Sequence, residues 1–145
     1  MIQNKKAFFD YHIEDKLEVG IALIGCEVKS IRDGHASVRE SFVRIDEGEM
    51  WLMNCHIQPY KEGSYQNLDP LRNRKLLAKK SQIKRWMGKV QEKGFTIVVT
   101  KMYFKKQLVK VEIGLGRSKK NYDKRESIKR KSLDRDLRRA IKNNY

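Results

Sequence analysis

Two apolar-alternating runs that face each other late in the chain limit its fold more than any other feature. In FTIVVTKMYF and LVKVEIGLG, joined by Lys105, Lys106 and Gln107, residues Val109, Val111, Ile113 and Leu115 alternate with Lys110, Glu112 and Gly114. A period of two sends one set of side chains into a core and the other toward water. The pattern therefore predicts a half-buried β-hairpin.

The rest of the chain reads in the same short-strand style. Residues 8–24 place Phe9, Tyr11, Ile13, Val19, Ile21 and Leu23 on one face, which predicts an extended strand with its odd-numbered side inward. EVKSIRDG sets Val28 and Ile31 three apart and ends in Asp33-Gly34, suiting a single helical turn closed by glycine. SVRESFVRI and MWLMNCHI flank an acidic turn at Asp46, Glu47 and Gly48, a second hairpin signal. Between Gln58 and Lys75, Pro59, Gly63, Asn67 and Pro70 break any regular element, so this stretch reads as a long functional loop. Ser81 then caps an amphipathic helix with Ile83, Trp86, Met87 and Val90 inward, Lys84, Arg85 and Lys89 outward, and Gly94 as its stop. Five or six short strands, one helix between the third and fourth, and no βαβ alternation give a mainly β fold. The architecture expected is an OB-fold-like small β-barrel with short helices.

Charge narrows the partners. The 145 residues carry a net +15, and residues 117–145 hold 12 basic against 4 acidic side chains, a net +8 that leaves +7 for the first 116. Such a field attracts polyanions, nucleic acid first. Residues 1–116 are expected to form the barrel and 117–145 a basic tail. The tail is too charged and too poor in large apolar groups to offset chain entropy, so it is expected to be disordered when free. Leu133, Leu137, Ala140 and Ile141 fall at helical spacing among Arg135, Arg138, Arg139 and Lys142, so a partner that neutralises the charge would make the tail helical. No run of 18 apolar residues and no secretory leader occur, which points to the cytoplasm and away from membranes. Cys26 and Cys55 stand alone without metal-ligand spacing, so neither a metal nor another cofactor is expected.

Two basic groups suit RNA on residue type alone. Lys29, Ser30 and Arg32 lie in the turn after the first strand, and Arg72, Arg74 and Lys75 put three cations in four positions beside Pro70. The plainer alternative is that both are solvated surface charge.

GCEVKSIRDG at 25–34 resembles the G-x-E-V-K-S-x-R-x-G signature of the SsrA-binding protein (small protein B) family. Similar blocks follow in the family's order: NKKAFFDYHI at 4–13, GEMWLMNCHIQPY at 48–60, DPLRNRKLL at 69–77, KVEIGL at 110–115 and YDKR at 122–125. The resemblance implies a non-enzymatic protein whose barrel holds the tRNA-like domain of tmRNA (SsrA RNA) for trans-translation on stalled ribosomes. Its partners would be tmRNA, the ribosome with its small-subunit RNA, and elongation factor Tu in the delivery complex, with neither DNA nor membrane among them.

By similarity, Glu18, Leu77 and Lys110 would bind tmRNA, although residue type alone favours a surface ion pair for Glu18 and a core place for Leu77. Lys119, Lys120, Tyr122, Asp123, Lys124 and Arg125 would meet the decoding region from the vacant mRNA path, and Ile141 and Lys142 would belong to a tail helix needed for tagging. Ser118 and Ala78 depart from the family pattern, which commonly has glycine before the two lysines and a third leucine after Leu77.

Two other classes compete. A ribonuclease would have to use His12, His35 and His56, which lack motif spacing, and a generic OB-fold ribosome-associated RNA-binding protein would share the same charge and fold. The basic amphipathic tail also allows a membrane-surface peptide, although it lacks Trp and Phe.

Overall fold

The computed structural model describes residues 1–59 and 69–119, together with Arg135. Its elements in chain order are β1 (Ile2–Gln3), α1 (Lys5–Asp10), β2 (Tyr11–Ile21), α2 (Gly25–Arg32), β3 (Ala36–Ser37) and β4 (Phe42–Asp46). There follow β5 (Glu49–Met53), β6 (His56–Ile57), β7 (Arg74–Leu77), α3 (Lys80–Lys93), β8 (Thr96–Lys105) and β9 (Leu108–Ser118).

Six strands close on themselves. Antiparallel ladders join β9 to β2, β2 to β7, β7 to β5, β5 to β4, β4 to β8, and β8 back to β9. The long strands β2, β9 and β8 form one curved wall, and the short strands β7, β5 and β4 complete the circuit. Bulges at Ile13/Asp15 and Val99/Lys101 fall in the long strands, where an extra residue bends the strand and sharpens its twist. β1 adds to the outer edge of β8, while β3 and β6 pair as a separate ribbon. This is the small mainly β architecture with short helices that the alternation predicts.

The inward faces carry the core. Val19, Met50, Leu52, Leu76, Val99, Met102, Val111 and Ile113 are at most 2% exposed, each worth about 1.5–3 kcal/mol of transfer free energy. Both hairpin turns are two residues long with positive φ at both positions, Glu47 and Gly48 in one, Lys106 and Gln107 in the other. These dihedrals match the strand twist, as in type I′ turns. Lys105 is therefore the last residue of β8, paired with Leu108, rather than part of the turn.

α3 packs against the sheet through Ile83 and Trp86, which join the core cluster. Gly94 ends it in the left-handed conformation at φ 66°, as its position predicts. The N-cap is Lys79, whose N–H donates to the Gln82 side chain at 3.2 Å, so Ser81 lies inside the helix rather than capping it.

Three other expectations are corrected. Residues 5–10 form α1, not the start of a strand, because Asn4 caps them by accepting from the Ala7 N–H at 3.2 Å while its own amide donates to Val99 at 2.8 Å and Val38 at 2.9 Å. α2 runs over eight residues rather than one turn, with Glu27 accepting the Ile24 N–H at 3.0 Å and Gly34 at φ 78° behind it. The loop expected over 58–75 ends earlier, since Arg74 and Lys75 belong to β7 and pair with Leu52 and Trp51. Near the expected domain border, β9 continues past residue 116, with Arg117 opposite His12, Ser118 opposite Tyr11, and the Lys119 N–H donating to Asp10 at 2.8 Å.

Candidate nucleic-acid interface

Strand register places four residues in one row on the outside of the wall. Tyr103 on β8 pairs with Lys110 on β9, Lys110 with Gly20 on β2, and Gly20 with Leu77 on β7. Buried Met102, Val109, Val111, Val19, Ile21 and Leu76 flank the row in their strands, so the row itself lies on the opposite, solvent side. Leu77 is 54% exposed, which excludes the core place its residue type suggests. It lies over Gly20, where an added Cβ would sit 3.3 Å from the Leu77 Cβ. Glycine lets the leucine spread flat on the sheet.

One step along the wall, Lys101, Glu112 and Glu18 form a second row. Glu18 and Glu112 stand directly opposite, an arrangement of like charges that destabilises a ladder unless each is compensated. Glu18 accepts from the Tyr103 hydroxyl and lies 3.3 Å from the Lys105 ammonium. Glu112 accepts from the Thr100 hydroxyl at 2.6 Å and lies 3.8 Å from Lys101. The Tyr103 hydrogen bond, helped by Lys105 and Lys110, holds the Glu18 carboxyl below its ordinary pKa. Burial and the bond to Glu18 push the Tyr103 hydroxyl up to about 12. The face thus presents fixed acceptors, a fixed donor, cations and one apolar surface.

Glu18, Leu77 and Lys110, far apart in sequence, are brought together here. Lys75 shares the outer face of β7 with Leu77 and pairs with Glu49 at 2.9 Å. Lys29 and Arg32 are exposed on α2, and the Arg32 guanidinium stands 5.5 Å from the centre of the Phe104 ring, beside the tip of the β8–β9 hairpin.

Three candidates from sequence do not face outward in this way. Ser30 is 1% exposed and its hydroxyl donates to the Gln58 carbonyl at 2.5 Å. Arg74 is wholly buried, with Nε donating to Glu27 at 2.6 Å and the other nitrogens donating to the carbonyls of Cys55, Arg72 and Pro70. Arg72 is partly exposed but donates to the same carboxylate. Arg74 and Ser30 are structural because backbone carbonyls and Glu27 already take their donors. Burial pushes the Glu27 carboxyl up, but bonds from Arg72, the Ile24 N–H and Arg74 outweigh it and leave the pKa below the usual value.

Tyr103, Lys105, Glu112 and Gly20 were not singled out by the sequence reading. A two-residue turn at 106–107 would have placed Tyr103 opposite Lys110, so the missed signal was the turn length. The histidines considered for a nuclease are exposed, His12 on β2 opposite Arg117 and His35 and His56 around the β3–β6 ribbon. Of the tail candidates only Lys119 is described; Lys120, Tyr122, Asp123, Lys124, Arg125, Ile141 and Lys142 lie outside the described residues. No described helix is long and apolar enough to cross a membrane.

The family model for SmpB protein matches residues 1–143. The chain belongs to the SmpB family. SsrA-binding proteins of Carboxydothermus hydrogenoformans and Pelobacter propionicus are 50% identical over 143 residues and 52% identical over 139. These alignments cover 99% of this chain and 96% of the first relative, and 96% of this chain and 91% of the second. The SsrA-binding protein of Desulfitobacterium hafniense strain DCB-2 is 48% identical over 142 residues, covering 98% of this chain and 88% of the relative. A solved structure described as "tmRNA-SmpB: a journey to the center of the bacterial ribosome" superposes with a TM-score of 0.69 at 44% identity, covering 88% of this chain and 93% of that one.

Proposed function

We propose that this chain binds the tRNA-like domain of tmRNA on the outer face of β7, β2, β9 and β8 and carries it to stalled ribosomes for trans-translation. The observation that carries this reading is the meeting of Glu18, Leu77 and Lys110 on one solvent-facing surface, in a chain of net charge +15. Family membership and the tmRNA–SmpB structural neighbour support it.

Each side chain suits RNA. Lys110 offers a point charge to phosphate. Glu18 accepts from base amino groups or ribose 2′-hydroxyls, the latter distinguishing RNA from DNA. Leu77 gives an unstacked base an apolar surface. Lys29, Arg32 and Lys75 extend the cationic border. The protein acts by shape and charge and catalyses nothing; peptide-bond chemistry stays with the ribosome.

In this reading the two parts, 1–116 and 117–145, have separate tasks. The tail enters the empty mRNA channel and decoding centre, with Lys119, Lys120, Tyr122, Asp123, Lys124 and Arg125 against small-subunit RNA and Ile141 and Lys142 in a helix formed there. Elongation factor Tu joins the delivery complex, and the whole process is cytoplasmic.

Competition binding at fixed salt tests the RNA assignment: the tRNA-like domain should outcompete bulk tRNA and duplex DNA. Equal affinity for all three would leave a generic RNA-binding module. Removing residues 119–145 should preserve tmRNA affinity and abolish peptide tagging; loss of both together would contradict the division.

A further inference from the structure

A hollow opens on the same wall beside Lys101 and Glu112. It measures about 240 Å³ and is lined by Phe8, Lys5, Lys16, Thr100, Lys101 and Glu112, with Gln3 and Asn4 behind. We propose that this hollow is a subsite for one unstacked nucleotide of the bound RNA, its base on the Phe8 ring and its phosphate between Lys16 and Lys101. The inference rests on the RNA-binding reading above and adds a contact to it.

An exposed phenylalanine alone calls for no explanation. Here three further features accompany it. The ring is 44% exposed although Ala7 beside it is buried, so α1 presents Phe8 outward while anchoring its other face. That anchor is rigid, because Asn4 caps α1 and is itself held by Val38 and Val99. The helix that carries Phe8 is therefore fixed in place before any ligand arrives, which lowers the entropy cost of binding.

Cations stand at both sides of the hollow. The Lys16 ammonium lies 5.1 Å from the Phe8 ring centre, and Lys101 is shared between Glu112 at 3.8 Å and the Tyr103 ring at 5.4 Å. A base entering the hollow takes the ring face, and Lys16, on its flexible stem, moves onto the phosphate. Glu112, fixed by Thr100, supplies an acceptor for an exocyclic amino group or a 2′-hydroxyl, as Glu18 does one strand away. Lys16 and Glu18 are two apart on the outer side of β2, so the hollow continues the surface formed by Glu18 and Lys110. A nucleotide chain leaving that surface along β2 reaches Phe8 next.

The test titrates the full chain with a transcribed tRNA-like domain. Phe8→Ala should weaken binding about tenfold, within the range for loss of one base–aromatic stack. Phe8→Trp should bind at least as well as wild type. Phe8→Leu, which keeps the apolar cover on α1 without the π-face, should bind as weakly as Phe8→Ala. Lys16→Gln should lower the salt slope by about one. Wild-type affinity in Phe8→Ala or Phe8→Leu would overturn the stacking subsite, and an unchanged slope in Lys16→Gln would overturn the phosphate placement. Failure of the wild-type protein to prefer the tRNA-like domain would instead sink the RNA reading itself, so the two failures are distinguishable.

Discussion

The Tyr103 hydroxyl on β8 donates to the Glu18 carboxylate on β2, reaching across β9, the strand that separates them. Lys110 stands on that intervening strand, opposite Tyr103. An acceptor, its orienting donor and a cation are thus locked together by ladder register rather than by a loop. Such preorganisation limits the side-chain freedom lost when RNA binds.

Tyr103→Phe removes the donor while keeping the ring. With Glu18 freed to rotate, affinity for the tRNA-like domain should fall about 3- to 10-fold, the effect of one net hydrogen bond. Thermal unfolding of the same variant should change little because the pair is solvent-facing. Filter binding beside a melting curve checks both.

Lys110→Ala should weaken RNA binding and reduce the slope of log affinity against log salt by about one, as loss of one phosphate contact requires. Its partly exposed side chain lies on the outer face, so the core is left untouched. An unchanged titration would remove Lys110 from the interface.

Arg74→Ala tests the opposite assignment. Arg74 is wholly buried against Glu27, and removing one partner leaves a buried charge uncompensated, at a cost of about 3–5 kcal/mol. Urea unfolding should show that loss, whereas RNA affinity measured on the folded fraction should be unchanged. A selective RNA defect in a normally stable variant would restore Arg74 as a contact.

The Glu27 cluster also sets an acid limit. Its folded pKa lies below the ordinary glutamate value of 4.5, so the unfolded chain takes up the proton first as pH falls. The stabilisation is complete above that ordinary value and is lost as pH drops through the lower, folded one. Glu27→Gln should be less stable than wild type at neutral pH and should show a smaller further loss between pH 5 and the acid end, about the range in which such groups titrate. Denaturant midpoints across pH measure it.

Thiol reactivity separates the two cysteines. Burial pushes the Cys55 thiol up to about 11, while Cys26 is only partly buried. Since the thiolate is the nucleophile, alkylation of native protein near pH 8 should modify Cys26 and spare Cys55. Mass spectrometry of the labelled chain decides this, and modification of Cys55 at the rate of Cys26 would contradict its burial.

Local periodicity was enough for the β9 alternation, the inward odd face of β2 and the apolar side of α3 with its Gly94 stop, because these depend on residue order along one element. Composition alone supplied the net charge that favours a polyanion. The six-strand closure and the pairing of Gly20 with Leu77 and Lys110 depended on which strands meet, a matter of packing between distant segments. So did the fates of the cationic candidates: Arg74 and Lys75 are neighbours in sequence, yet a strand turns one into the core toward Glu27 and the other toward solvent. Charge and pattern named what this chain attracts, but only the tertiary ladder decided which of its basic side chains remain at the surface to do it, because burial is a property of the assembled sheet.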